Sequence, residues 1–218
     1  MKLLLTSAGI MNKKIEACFS ELLNKSYNEA NLVFITTASS ALSGDKSWLI
    51  KDLEILNKMG FRSIDILDIS AVSRDNWLPR LESSDVIFVE GGDTFYLMEW
   101  IEKSGLKDIF SELIIDKVYV GVSAGSCIFA KNLALKASQE MYGDGEGRTE
   151  DIVGLDLLPF YIFPHFNNQT YFKNVTKENL EKWRSEYEGD MYLIDDMSAV
   201  CVNGSDIQIV SEGNYFKI

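Results

Sequence analysis

Short and almost wholly apolar runs recur along the chain: Leu3 to Leu5, Leu32 to Ile35, Ile64 to Leu67, Val86 to Val89 and Val118 to Val122. Runs of this length, without polar alternation, predict strands covered on both faces. Between most of them apolar residues repeat at helical spacing. Ile15, Phe19, Leu22 and Leu23 follow Asn12, a potential N-cap, and Trp48, Leu49, Leu53 and Leu56 lead to the helix stop Met59-Gly60. Phe95, Met98 and Ile101, then Leu106, Phe110, Leu113 and Ile114, supply two more amphipathic pieces. The interval from Asp68 to Asp85 has no clear period.

Strands alternating with helices predict an α/β fold. A parallel pair needs a crossover of a dozen or more residues, and helical crossovers cover both faces of the sheet. Beyond about residue 190 the texture changes. Tyr192 to Ile194, Ala199 to Val202, Ile207 to Val210 and Tyr215 to Ile218 are separated by turn signals at Asn203-Gly204-Ser205-Asp206 and Glu212-Gly213-Asn214. These four runs predict an antiparallel C-terminal edge. No linker-like stretch or internal repeat interrupts the pattern, so residues 1–218 are expected to form a single domain.

Composition narrows the function. The 218 residues carry 21 Lys plus Arg against 33 Asp plus Glu, a net charge of −12 that disfavours nucleic acid and anionic membrane as partners. The apolar runs are far shorter than the roughly 18–20 residues that cross a bilayer. The run at the N-terminus stops after Leu5, short of a secretory core of about 7–15 residues, and reads as a first strand. Cys18, Cys127 and Cys201 are odd in number and share no ligand spacing, so neither a disulfide framework nor a zinc site is expected, and the setting reads as cytoplasmic. His165 is the only histidine.

The strongest chemical signal is Gly121-Val122-Ser123-Ala124-Gly125. It follows a predicted buried strand and opens into the apolar run Cys127 to Ala130, the context of a Gly-x-Ser-x-Gly nucleophile elbow. Small flanking residues let the chain turn sharply, and a helix start aims N–H groups at the serine oxygen. A plain tight turn with Ser123 as N-cap satisfies the same residues. A serine hydroxyl needs a base, and His165, just after the apolar run Phe160 to Phe163 and Pro164, is the only imidazole available. For an orienting carboxylate, Glu140, Asp144, Glu146, Glu150, Asp151 and Asp156 all lie between the two. Spacing does not choose among them.

A second glycine signal, Glu90-Gly91-Gly92-Asp93-Thr94-Phe95, ends the Val86 to Val89 run. Bare N–H groups there can approach a substrate carbonyl oxygen, and in an open α/β sheet this loop and the Ser123 elbow would share one crevice. Asp93 or Thr94 also suits the role of helix N-cap. The polar stretch Tyr142 to Asp151 reads either as a solvated surface loop or as a flap over the site.

Together with Gly121-Val122-Ser123-Ala124-Gly125-Ser126 and Phe163-Pro164-His165-Phe166, the second glycine segment resembles the peptidase E family, aspartyl dipeptidases related to cyanophycinases. The resemblance runs over nearly the whole chain. It implies a flavodoxin-like three-layer fold akin to the class I glutamine amidotransferases, Ser123 as nucleophile, His165 as base, and Gly92 with Ala124 as oxyanion donors. It further implies the acid of Glu140-Met141 as third member of a triad. Departures from the family pattern, Gly91-Gly92-Asp93 for Gly-Gly-Asn and Asp196-Met197-Ser198 for an acid followed by glycine, mark Gly91, Asp93 and Asp196 as expected substrate contacts. Arg148 is the cation expected to meet an acidic side chain or a peptide C-terminus.

The resulting expectation is a cytoplasmic serine peptidase acting on short peptides such as Asp-Xaa through an acyl-enzyme, as a monomer or homodimer, with no metal or organic cofactor required. An α/β-hydrolase esterase shares the order serine, acid, histidine, although a long stretch follows His165 here. A non-catalytic flavodoxin-like module binding a ligand at the same crevice is the alternative outside enzymes.

Overall fold

The computed structural model describes residues 1–218. In chain order the elements are β1 (Lys2–Thr6), α1 (Lys13–Leu23), β2 (Asn31–Ile35), α2 (Thr37–Ser40), α3 (Ser47–Met59), β3 (Ser63–Leu67), α4 (Arg74–Glu82), β4 (Val86–Val89), α5 (Thr94–Lys103) and α6 (Phe110–Leu113). They continue with β5 (Val118–Val122), α7 (Ala124–Cys127), α8 (Leu135–Tyr142), β6 (Phe160–Phe163), α9 (Lys177–Trp183), β7 (Asp190–Ile194), β8 (Ser198–Asn203), β9 (Asp206–Ser211) and β10 (Tyr215–Lys217). The unassigned interval from Asp68 holds α4, whose Trp77 and Leu81 are fully buried.

Seven strands form the main sheet in the order β3-β2-β4-β5-β1-β8-β9. The first five run parallel, and β8 and β9 add the antiparallel edge. Alternate residues of the central strands feed two cores. Leu3, Leu5, Ile87, Val89 and Tyr119 pack with Trp77, Phe95 and Phe129, whereas Leu4, Phe34, Phe88 and Val120 pack with Ile15, Phe19 and Leu56 of α1 and α3. This is the three-layer arrangement that the apolar runs predict. The run Ile64 to Leu67 differs from expectation: β3 is the sheet margin, with Ile66 54% exposed.

The C-terminal runs do not all join that edge. β7 and β10 leave it to form a second sheet, β10-β7-β6, in which β6 pairs parallel with β7. Both faces of this small sheet are covered. Phe160, Ile162, Tyr192 and Ile194 extend the main core, and Tyr161, Phe163, Met191 and Leu193 face a third cluster with Ala137, Met141 and Leu180 from α8 and α9. Two-sided burial demands apolar residues at consecutive positions, which is why β7 does not alternate as an exposed edge strand would.

Two close backbone approaches and one side-chain hydroxyl draw the strand exits of the main sheet together. A Cβ on Gly125 would lie 2.3 Å from the Val89 carbonyl oxygen, and one on Gly121 would lie 2.5 Å from the Gly125 oxygen. The Ser126 hydroxyl donates to the carbonyls of Thr6 and Gly121, at 2.8 and 2.9 Å, closing β1 and β5 over the start of α7. Gly125→Ala is expected to cost about 1–3 kcal/mol by overpacking α7 against β4. Thermal unfolding checks this, as a Tm lowered by several degrees with native circular dichroism retained well below the transition.

Candidate active site

The parallel strands β1, β4 and β5 end side by side, so the loops after Thr6, Val89 and Val122 open onto one crevice at the carboxyl edge of the sheet. Ser123 occupies its floor. Its φ of 48° and ψ of −106° are strained for a residue with a Cβ, at a cost of about 1–3 kcal/mol. The strain is held by the Ser123 N–H, which donates to the Thr6 carbonyl at 3.0 Å, and by the Ser123 carbonyl, which accepts from Ser126 and Cys127 N–H. Gly91 lies directly against the serine: a Cβ there would sit 3.3 Å from the Ser123 Cβ. The two glycine signals therefore meet in one crevice.

His165 reaches Ser123 from the second sheet. It follows β6, adopts a φ of 64°, and sets Nε2 2.9 Å from the Ser123 Oγ. Nδ1 lies 2.7 Å from the Asp196 Oδ1. Asp196 stands between β7 and β8, where the chain passes from the small sheet to the large one. Ser7, the first residue after β1, ties the pair together by donating to Asp196 Oδ1 at 2.8 Å and accepting the His165 backbone N–H at 2.7 Å. Asn168 donates to the other Asp196 oxygen at 3.0 Å. The Phe172 ring stacks on the imidazole with centroids 4.3 Å apart, so the ring plane is set by packing as well as by hydrogen bonds.

Burial works to raise the Asp196 pKa, but the donors His165, Ser7 and Asn168 outweigh it and hold the carboxyl below its ordinary value. An ionised acid facing Nδ1 accepts a proton from it. The lone pair of Nε2 is then left toward the serine hydroxyl.

The chain from Glu90 to Asp93 is anchored at every N–H but one. Glu90 donates to the Ile35 carbonyl at 3.0 Å, Gly91 to the Glu90 side chain at 2.9 Å, and Asp93 to the Ala38 carbonyl at 3.0 Å. Gly92 N–H has no such partner. Its φ of 140° and the backbone of Ala38 and Ser39 within 2.5 Å of any Cβ explain why only glycine fits. Ala124, the first residue of α7, likewise has no turn, loop or cap acceptor for its N–H.

Three sequence expectations need correction. Glu140 does not orient His165: its carboxylate accepts from Lys182 Nζ at 2.6 Å and Trp183 Nε1 at 2.8 Å, joining α8 to α9, and Asp196 occupies the place beside the imidazole. Asp196 is accordingly a partner of the histidine rather than a substrate contact. Arg148 is committed to a salt bridge with Glu99 and lies over the Phe95 ring, because the Tyr142 to Asp151 stretch folds back on α5 and is pinned by Gln139 Nε2, which donates to the Gly145 and Arg148 carbonyls. Asp93 caps α5 by accepting the Tyr96 N–H at 2.8 Å. Burial, together with the Asp93 charge, pushes the nearby Asp144 up to about 6.

Ser7 and Asn168 carry no motif and were invisible in the sequence. Cys127, one turn beyond Ser123, is buried against the Ile162 carbonyl at 3.3 Å, and desolvation pushes its thiol pKa far up, so it is no competing nucleophile.

Comparison with known proteins identifies a family and a fold. The sequence model of peptidase family S51 matches residues 3–210. An uncharacterized peptidase of Listeria monocytogenes is 31% identical over 147 residues, 66% of this chain and 69% of that protein. Peptidase E of Salmonella paratyphi C is 28% identical over 171 residues, covering 77% of this chain and 70% of the enzyme. Among solved structures, one described as a candidate peptidase E protein from Listeria monocytogenes EGD-e superposes with a TM-score of 0.77 at 27% identity, covering 97% of this chain and 98% of that one. A peptidase from an acI-B1 actinobacterium shares the fold, with a TM-score of 0.74 at 17% identity over 98% of this chain and 88% of its own.

Asp196→Asn is expected to lower kcat about 10⁴-fold by favouring the wrong tautomer, while Glu140→Gln leaves kcat at the wild-type level and lowers only Tm. Steady-state kinetics and melting curves on the two variants separate the two acids. The depressed Asp196 pKa also fixes a sign. Its stabilising contribution is complete above the ordinary aspartate range and is lost as the pH falls through the folded pKa, so Asp196→Asn should flatten the acid limb of a stability-against-pH curve.

Proposed function

From the premise that the chain belongs to peptidase family S51 and is a serine-type peptidase, we propose that it hydrolyses short peptides through an acyl-enzyme on Ser123. One observation carries this reading: the continuous chain of contacts from Ser123 Oγ to His165 Nε2, and from His165 Nδ1 to Asp196. His165 Nε2 takes the hydroxyl proton as Ser123 Oγ attacks the scissile carbonyl carbon. The oxygen that gains charge lies toward the free N–H groups of Gly92 and Ala124, and Asp196 stabilises the imidazolium. His165 then returns the proton to the leaving amine. A water deprotonated by the same nitrogen hydrolyses the ester in a second attack, releasing the acid and regenerating Ser123.

The expected preference for an N-terminal aspartyl residue has lost the cation it relied on, because Arg148 is paired with Glu99. Asp93 and Asp144 instead make the corner beside Gly92 acidic. The substrates that suit this corner are short peptides with a neutral or cationic residue there. No helix is long and apolar enough to cross a membrane. Three free thiols suit a reducing compartment, and on that ground we read the site of action as the cytoplasm.

Ser123→Ala is expected to reduce turnover by a factor on the order of 10⁶ without loss of fold, and to abolish covalent labelling by a fluorophosphonate. A scan of dipeptides differing in the first residue tests the substrate class. Wild-type protein that neither labels at Ser123 nor cleaves any peptide would overturn the reading in favour of a binding module.

A further inference from the structure

Behind the oxyanion loop lies a pair of acids that the proposed mechanism does not use. Glu90 follows β4 and is fully buried. Its Oε1 accepts the Gly91 N–H at 2.9 Å, while Oε2 has no N–H or O–H donor from the protein. Asp52 projects from α3, one of only two buried residues of that helix, and is 6% exposed. The two carboxyl groups are within hydrogen-bonding reach of each other. Room for Asp52 is made by Gly9, where a Cβ would lie 2.7 Å from the Asp52 Oδ1.

A carboxylate oxygen without a protein donor is costly to bury. Two carboxylates side by side add repulsion, yet two carboxyl groups sharing one proton satisfy each other. A proton held between the two side chains would account both for the orphan oxygen of Glu90 and for the nearness of Asp52.

We propose that Glu90 and Asp52 form a proton-sharing carboxylic acid–carboxylate pair, and that Glu90 acts through it as a positioning residue that holds Gly91 so that the Gly92 N–H faces the reacting oxygen. The proposal rests on the reading of Gly92 as oxyanion donor. Three of the four N–H groups from Glu90 to Asp93 are tied down, and the tie at Gly91 is the only one made by a side chain. If Glu90 rotated to relieve two full charges, Gly91 would lose its acceptor and the turn at Gly92 would be free to shift.

The charged groups bearing on the pair are few. Lys51, the neighbour of Asp52 on α3, and the hydrogen bond with Glu90 favour the ionised form of Asp52, whereas the Asp52 charge and that same hydrogen bond oppose ionisation of Glu90. Gly9 and Gly91, on the loops packed against them, carry no side chain. Burial foremost, then the mutual repulsion felt by Glu90, raises both acids above their ordinary values. In the unfolded chain both are ionised above about pH 5, so the folded protein carries an extra proton and loses stability as the pH rises from there.

The test uses the intact chain and two readouts, stability against pH and the rate of Ser123 phosphonylation by a fluorophosphonate. Glu90→Gln and Asp52→Asn each replace the shared proton by a permanent N–H, and should flatten the decline in stability between about pH 5 and 8 relative to wild type. Glu90→Leu, which removes the acceptor for Gly91, should slow phosphonylation roughly 10²–10³-fold, the loss expected when an oxyanion donor is misplaced. Glu90→Gln should restore most of that rate and move its alkaline limb upward. Identical stability profiles in wild type and Glu90→Gln would overturn the shared proton, an outcome readable even if Glu90→Leu does not fold. A folded Glu90→Leu that labels at the wild-type rate would overturn the positioning role. Wild type that does not label at all is a failure of the serine peptidase reading instead, and the stability profiles then decide for or against the pair on their own.

Discussion

The approach of bare backbone to bare backbone where β4 and β5 leave the sheet is the constraint on which the site depends. Gly125 rides on the Val89 carbonyl, and Gly91 lies against Ser123 itself. Any side chain at these positions would separate the two loops. With them in contact, the first N–H of α7 and the free N–H of Gly92 belong to one crevice, and the serine between them is forced into a left-handed φ. The elbow strain is sustained because the surrounding strands determine it: Ser123 N–H completes the ladder to β1, and Ser126 bolts α7 to β1 and β5 from below.

The histidine arm is built differently, by pairing between segments far apart in the chain. β6 delivers His165 and β7 delivers Asp196, and their parallel pairing brings Phe163 opposite Leu193, so the two loops leave the small sheet at the same end. Ser7 then locks that end to the exit of β1. Docking of the small sheet on the large one therefore decides whether the imidazole meets the serine. Phe160, Ile162, Tyr192 and Ile194, shared with the main core, supply that docking.

These two constructions explain what was legible in the sequence. The elbow and the Gly91-Gly92 loop are local: glycines at fixed offsets after an apolar run announce a close approach, and the five parallel strands announce themselves by short, mostly apolar runs, of which the one broken by Asp65 lies at the sheet margin. His165 was legible because the chain has no other imidazole. Asp196 stands out in the sequence only as a candidate substrate contact, since only the β6–β7 pairing brings it to Nδ1, whereas Glu140, nearer in the chain, turns toward Lys182 and Trp183 on α9. The departure of β7 and β10 from the main sheet was hidden for a related reason. Their turns read as hairpins, but what β7 pairs with is set by an upstream strand and by cover on both faces, neither of which is encoded in a local period.

The acids around the crevice are sorted by what touches each of them. Asp196 has three donors and stays ionised despite partial burial. Asp144 has a threonine hydroxyl at 3.5 Å and the Asp93 charge nearby, and its pKa rises to about 6. Glu90 and Asp52 have a single backbone donor between them and each other, and both rise. The chemical identity of the side chains does not distinguish these cases, because an aspartate sits in each. What differs is the count of N–H and O–H groups aimed at the carboxylate. Asp196 is thereby fitted to balance an imidazolium that appears and disappears during a reaction. In the proposed pair, Glu90 and Asp52 together carry one charge fewer than two free carboxylates, so the Gly91-Gly92 loop rests on an acid without a second full negative charge behind it.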